Sequence, residues 1–204
     1  MTSQTIFLLS PAHAGGRRAQ MVLREAAAFP LAAALRGEGA RLGEVFTFLS
    51  GLYFRGKLAY AQRFARRAAA PHGVLVIAPG LGLVPPETVV DLAALRRFAE
   101  VGVSLDEPRF REPFARDAAA LASAVAGDDA VVLLGSIASD KYVAVLQEHL
   151  GGRLLFPSTF VGRGDMSRGG LLLRAVTSGE ELTYEPVAGA VRRGPRPPRL
   201  TPLR

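Results

Sequence analysis

Residues 156–174 read FPSTFVGRGDMSRGGLLLR, setting four glycines, three arginines, one aspartate and two serines ahead of and around a leucine triplet. Arg163 and Arg168 carry planar guanidinium forks that match phosphate or carboxylate geometry. The glycines between them allow positive φ or close approach of backbone to a ligand. The chemistry this spacing suggests is anion binding. Asp165 can pair with one arginine and orient it while the other, with Ser167, meets the anion, and a turn at Gly169 and Gly170 into Leu171 would add a nest of amides. A surface loop whose arginines are both satisfied by Asp165 or other carboxylates is the competing reading. Asp165 and His13 are the residues that could position water or move a proton, although a hydrogen-bonded structural histidine is the favoured reading of His13.

Such residues need a scaffold, and the rest of the chain supplies its pattern. Short apolar runs at Thr5–Leu9, 45–49, Val74–Ala78 and Ala130–Leu134 are bounded by Ser, Gly or Pro, as buried parallel strands are. Helical spacing of apolar residues covers 17–36, 55–67, 91–99, 110–125 and 140–150. This alternation predicts an α/β protein: a single three-layer, Rossmann-like domain over 1–191 with a mostly parallel central sheet. A fifth strand is expected at 153–156, then the glycine segment, a helix or strand through LLLRAV, and a C-terminal hairpin over 182–191 around Gly189.

In open parallel sheets, ligands gather beyond the carboxyl ends of the strands. The segments following the five runs begin at Ser10, Ser50, Pro79, Gly135 and 157, and each is polar or rich in glycine. Their candidate ligand-binding residues are Ser10, Tyr53, Arg55, Lys57, Gly80, Gly82, Ser136 and Lys141, together with Arg163, Ser167 and Arg168. Tyr53 either stacks on a base or covers the sheet edge. Ser139 or Asp140 reads as the cap of the helix that starts beside Lys141. Asp106 and Glu107 form a carboxylate pair or open the next helix, and the second is favoured. The stretch 79–86 lacks the Lys and Ser/Thr of a phosphate-binding P-loop.

Composition narrows the classes. The chain has 204 residues, 49% of them hydrophobic and 21% charged, an ordinary globular balance. No apolar run approaches the roughly 18 residues of a membrane span, so no membrane partner is expected and a cytoplasmic location is. The chain contains no cysteine and three histidines, which rules out disulfides and thiolate sites; no metal and no cofactor are expected. The net charge of +7 is concentrated in a basic, proline-rich tail over 192–204, expected to extend from the body and to meet nucleic acid or simply to solubilise.

The segment APGLGLVPPE at 78–87 resembles a stretch in the accessory domain of archaeosine synthases, a family with uracil-DNA-glycosylase-like α/β architecture. The Leu-Ser-Pro after the first strand is similar to that of the peroxide-stress DNA-binding protein family, and the whole chain resembles a bacterial family marked by VGRGDMSRGGLLLR, here 161–174. The resemblance implies a nucleotide or nucleic acid as partner. A chain without cysteine inherits no radical or zinc chemistry from it. Two functions follow: a module binding a nucleotide or nucleic acid through its strand-end loops, or an enzyme of nucleobase or nucleoside metabolism with N-glycosidic chemistry.

Overall fold

A computed structural model describes residues 4–66, 72–125 and 127–200. In chain order they form β1 (Thr5–Leu9), α1 (Arg17–Leu23), α2 (Pro30–Arg36), β2 (Ala40–Arg41), α3 (Leu42–Ser50), α4 (Leu52–Phe64), β3 (Val74–Ala78), β4 (Gly82–Val84), β5 (Val89–Val90), α5 (Leu92–Glu100), α6 (Pro108–Ala124), β6 (Ala130–Leu134), α7 (Asp140–Leu150), β7 (Leu154–Pro157), α8 (Asp165–Ser178) and β8 (Tyr184–Pro186). The last residue of the helix expected over 55–67 and residues 201–204 of the tail lie outside the described residues.

The main sheet has the order β4-β3-β1-β6-β7-β8, with β3, β1, β6 and β7 parallel and an antiparallel strand at each edge. Alternation along the strands builds the three layers, because successive side chains point to opposite faces. Phe7, Leu9, Val76, Val132 and Leu134 face one apolar cluster with α3, α4 and α8. Ile6, Leu8, Ile77, Val131 and Leu133 face the other, with α6 and α7. From β1 the chain winds first to β3 on one side and later to β6 on the other, so the direction of winding reverses between β1 and β6.

Four expectations are corrected. The run at 45–49 is not a strand but the end of α3. Leu42, Val45, Phe46 and Leu49 are all buried at helical intervals, and five apolar residues are too short a window to separate the two periods. The single helix expected over 17–36 is two, because Pro30 starts α2 at a first-turn position that tolerates a missing N–H. The hairpin around Gly189 does not form. Instead β8 pairs antiparallel with β7, held where Tyr60 and Tyr184 share a hydrogen bond of 2.5 Å between their hydroxyls. Finally, Gly169 and Gly170 make no turn, since both lie inside α8.

Those helical glycines have a packing role. A Cβ at Gly56 on α4 would come within 2.8 Å of the Gly169 carbonyl oxygen, and one at Gly169 within 2.8 Å of the Leu52 carbonyl oxygen. The two helices therefore touch backbone to backbone. This contact brings Tyr53 and Lys57 of α4 beside Asp165 and Arg168 of α8.

Candidate functional site

A cavity of about 320 Å³ opens where the winding reverses, beyond the carboxyl ends of β1 and β6, the place where open α/β sheets hold ligands. Residues 10–13 leave β1 to form one wall; Leu49, Ser50 and Tyr53 at the α3–α4 junction form another. Ser136, Lys141 and Tyr142 come from the end of β6 and the first turn of α7, Asp165 opens α8, and Val103 closes a side.

Beneath this cavity Lys57 is 1% exposed. Its Nζ donates to the Ser10 carbonyl oxygen at 2.5 Å and lies 2.9 Å from Ser10 Oγ. It also sits 4.4 Å from the Tyr53 ring centroid and 4.9 Å from that of Phe54. Burial above all, with Arg168 and Lys141 adding to it and Asp165 opposing, pushes the Lys57 ammonium down to about 7. A lysine held this way is neutral in a large share of molecules near pH 7, since desolvation penalises the charged form.

Tyr53 is the second unusual group. Its hydroxyl is buried and meets no hydrogen-bond acceptor, while the Arg168 guanidinium acts on its oxygen as a nearby positive charge and a weak donor. Burial raises its pKa well above the ordinary phenol value, so the group stays protonated and remains a donor. Burial does the same to Tyr142. Arg168, 9% exposed, donates Nε to the Phe160 carbonyl at 3.2 Å and lies 3.6 Å from an Asp165 carboxylate oxygen.

Of the residues singled out from sequence, Ser10, His13, Tyr53, Ser136, Lys141 and Asp165 meet at this one cavity, with Lys57 directly behind it and Arg168 behind Tyr53. Others fall elsewhere. Arg55 is exposed on α4. Gly80 lines a separate recess with Arg97 and Arg109, while Gly82 lies under α6, where Asp117 accepts from the Leu83 amide at 2.9 Å. Arg163 and Ser167 face a third recess shared with Arg196 and Arg199. There Arg163 is already engaged, donating to the Thr159 carbonyl, Ser167 Oγ and the Pro198 carbonyl.

The tail, expected to extend away, lies against the body over its described part. Arg192 pairs with Asp140, Arg193 donates to the Ala138 carbonyl, and the chain at Pro195 passes over Gly162, whose φ of +71° and missing Cβ leave it room. Glu107 caps α6 by accepting from the Arg109 amide at 3.1 Å, in line with the favoured reading of that pair. Tyr142 is a cavity residue that the sequence did not single out. Its place in the first turn after a strand-end loop is the signal that could have found it.

No protein-family model, curated protein or solved structure shows significant similarity to this chain. Among the described residues no group of three or more His, Asp or Glu side chains is placed to hold a metal ion, and no helix is long and apolar enough to cross a membrane. What fold and site define is a doubly wound α/β protein with a polar, tyrosine-walled cavity at its switch point.

Proposed function

We propose that the cavity between the ends of β1 and β6 binds a nucleotide. The observation that carries this reading is the Tyr53 hydroxyl, a protonated donor sealed into the cavity region without an acceptor for its proton. A buried polar group left unsatisfied costs about 1–3 kcal/mol, a cost that a ligand acceptor would remove. Tyr53 and Tyr142 line the cavity and give it aromatic walls against which a base or ribose would pack. Lys141 and the amides of the first turn of α7, whose N-cap Ser139 makes no side-chain capping bond, offer a cationic end suited to phosphate. The volume lies at the small end of the ligand-pocket range of about 300–1,000 Å³, which favours a mononucleotide over a nucleic-acid duplex.

A second reading has its own support. Asp165 and His13 line the same cavity, so an N-glycosidic bond held there would have an acid, a base and a site for water. Thermal-shift screening of nucleosides, nucleotides, tRNA and short DNA, followed by calorimetry, separates these possibilities. The expected result is a mononucleotide that raises the melting temperature, with Lys141→Ala weakening it about tenfold, near 1.4 kcal/mol. Silence from every nucleotide, or unchanged affinity in Lys141→Ala, overturns the reading; cleavage of a nucleoside during incubation establishes the second.

A further inference from the structure

We propose that Ser10 and Lys57 form a nucleophile–base pair that hydrolyses a small ester or amide bound in the switch-point cavity. This goes beyond nucleotide binding and needs the cavity alone, whatever its ligand.

The argument rests on order in depth. Ser10 lines the cavity, whereas Lys57 is enclosed behind it with Nζ 2.9 Å from the serine Oγ. A lysine needed only to fasten α4 to the end of β1 is an expensive choice, since burying an ammonium costs several kcal/mol and an apolar side chain of similar length would pack without that cost. Placed here, it sits within proton-transfer reach of one hydroxyl, while the Ser10 carbonyl fixes its direction at 2.5 Å. In the structure Lys57 Nζ donates to Ser10 Oγ and that hydroxyl donates to the Leu134 carbonyl at 3.3 Å. The neutral amine keeps two hydrogens and one lone pair, so one hydrogen can bind the Ser10 carbonyl while the lone pair accepts the hydroxyl proton once it turns from Leu134. The lowered affinity of Lys57 for its proton is the condition a general base near neutral pH requires.

In the step itself, Ser10 Oγ adds to the carbonyl carbon as its proton passes to Lys57 Nζ, and the carbonyl pair moves onto oxygen. The Tyr53 hydroxyl, whose proton has no acceptor, and the Lys141 ammonium at the same cavity are the donors available to that oxyanion. Collapse breaks the bond to the alcohol or amine, which leaves with the proton from Lys57. Water then adds to the acyl-serine, yielding its proton to Lys57, and Ser10 regains a proton as the acid departs.

The test uses a small alkyl fluorophosphonate, which a nucleophilic serine displaces at phosphorus with loss of fluoride, read by intact-mass and peptide mass spectrometry. One adduct at Ser10 is expected, absent in Ser10→Ala. Its rate should rise with pH through about 7 as Lys57 loses its proton, and should fall at least ~100-fold in Lys57→Met. The charges facing Lys57 are Asp165 and Arg168 from α8 and Lys141 from α7, so the rate in Asp165→Asn should rise through a lower pH. No adduct at Ser10, a rate flat across pH 6–9, or equal labelling in a folded Lys57→Met overturns the pair; if that variant fails to fold, the pH profile decides. Nucleotide titration of the unlabelled protein runs alongside. Binding without labelling removes the dyad and leaves the proposed function standing, and labelling without binding does the reverse.

Discussion

The switch-point cavity and the arginine-rich segment from 163 onward differ in how their polar groups are satisfied. In the segment, Arg163 has three acceptors, Arg192 has Asp140 and Gln147, and Arg193 has the Ala138 carbonyl. At the cavity, a lysine is buried with only serine oxygens as hydrogen-bond partners and a tyrosine hydroxyl has no acceptor. The first region is dense in chemistry-bearing residue types yet largely self-satisfied. The second is sparse in such types but holds groups whose burial costs free energy, and unreleased cost of this kind is the better pointer to a ligand.

The difference can be broken most forcefully at the helix contact beneath the cavity. Gly169→Val would drive a side chain into the Leu52 backbone and should destabilise the fold by about 3 kcal/mol or more, measured by denaturant unfolding. A loss below about 1 kcal/mol would mean that the α4–α8 approach is not tight.

Next comes the pH dependence of stability. Between pH 7 and 10.5 the unfolded chain keeps a proton on Lys57 that the folded chain has released, so stability from this group should rise with pH across that window. Above pH 10 the sign reverses, because Tyr53 and Tyr142 hold their protons more tightly folded than unfolded, and stability should then fall. The first slope should vanish in Lys57→Met.

Tyr53→Phe separates function from stability. Removing a buried hydroxyl that lacks an acceptor should leave the fold as stable or raise stability by about 1 kcal/mol, while ligand affinity drops. A variant that instead loses stability would mean the hydroxyl is satisfied within the protein. The smallest effect is expected from Arg163→Ala, whose loss should cost under about 1 kcal/mol and leave cavity binding unchanged by calorimetry. A tenfold loss of affinity there would return the site to the glycine segment.

Much of the architecture was legible in the chain. The apolar runs at Thr5–Leu9, Val74–Ala78 and Ala130–Leu134 are strands at those same bounds, and 140–150 is α7, because a strand buried on both faces needs a continuous apolar run and an amphipathic helix needs its 3.6-residue spacing. The loops rich in Ser and Gly at strand ends also pointed to Ser10, Ser136 and Lys141, since parallel strands deliver their carboxyl ends to one edge. What the chain could not disclose was which local pattern would yield to packing. The apolar stretch at 45–49 became helical within α3, and Gly169, which promises a turn, became the flat spot on which α4 rests. The lysine at position 57 carries no local mark of its burial. Only the crossing of α4 over the end of β1 removes its ammonium from water and sets it against the Ser10 hydroxyl, because desolvation is a property of everything packed around a group and not of its neighbours in sequence.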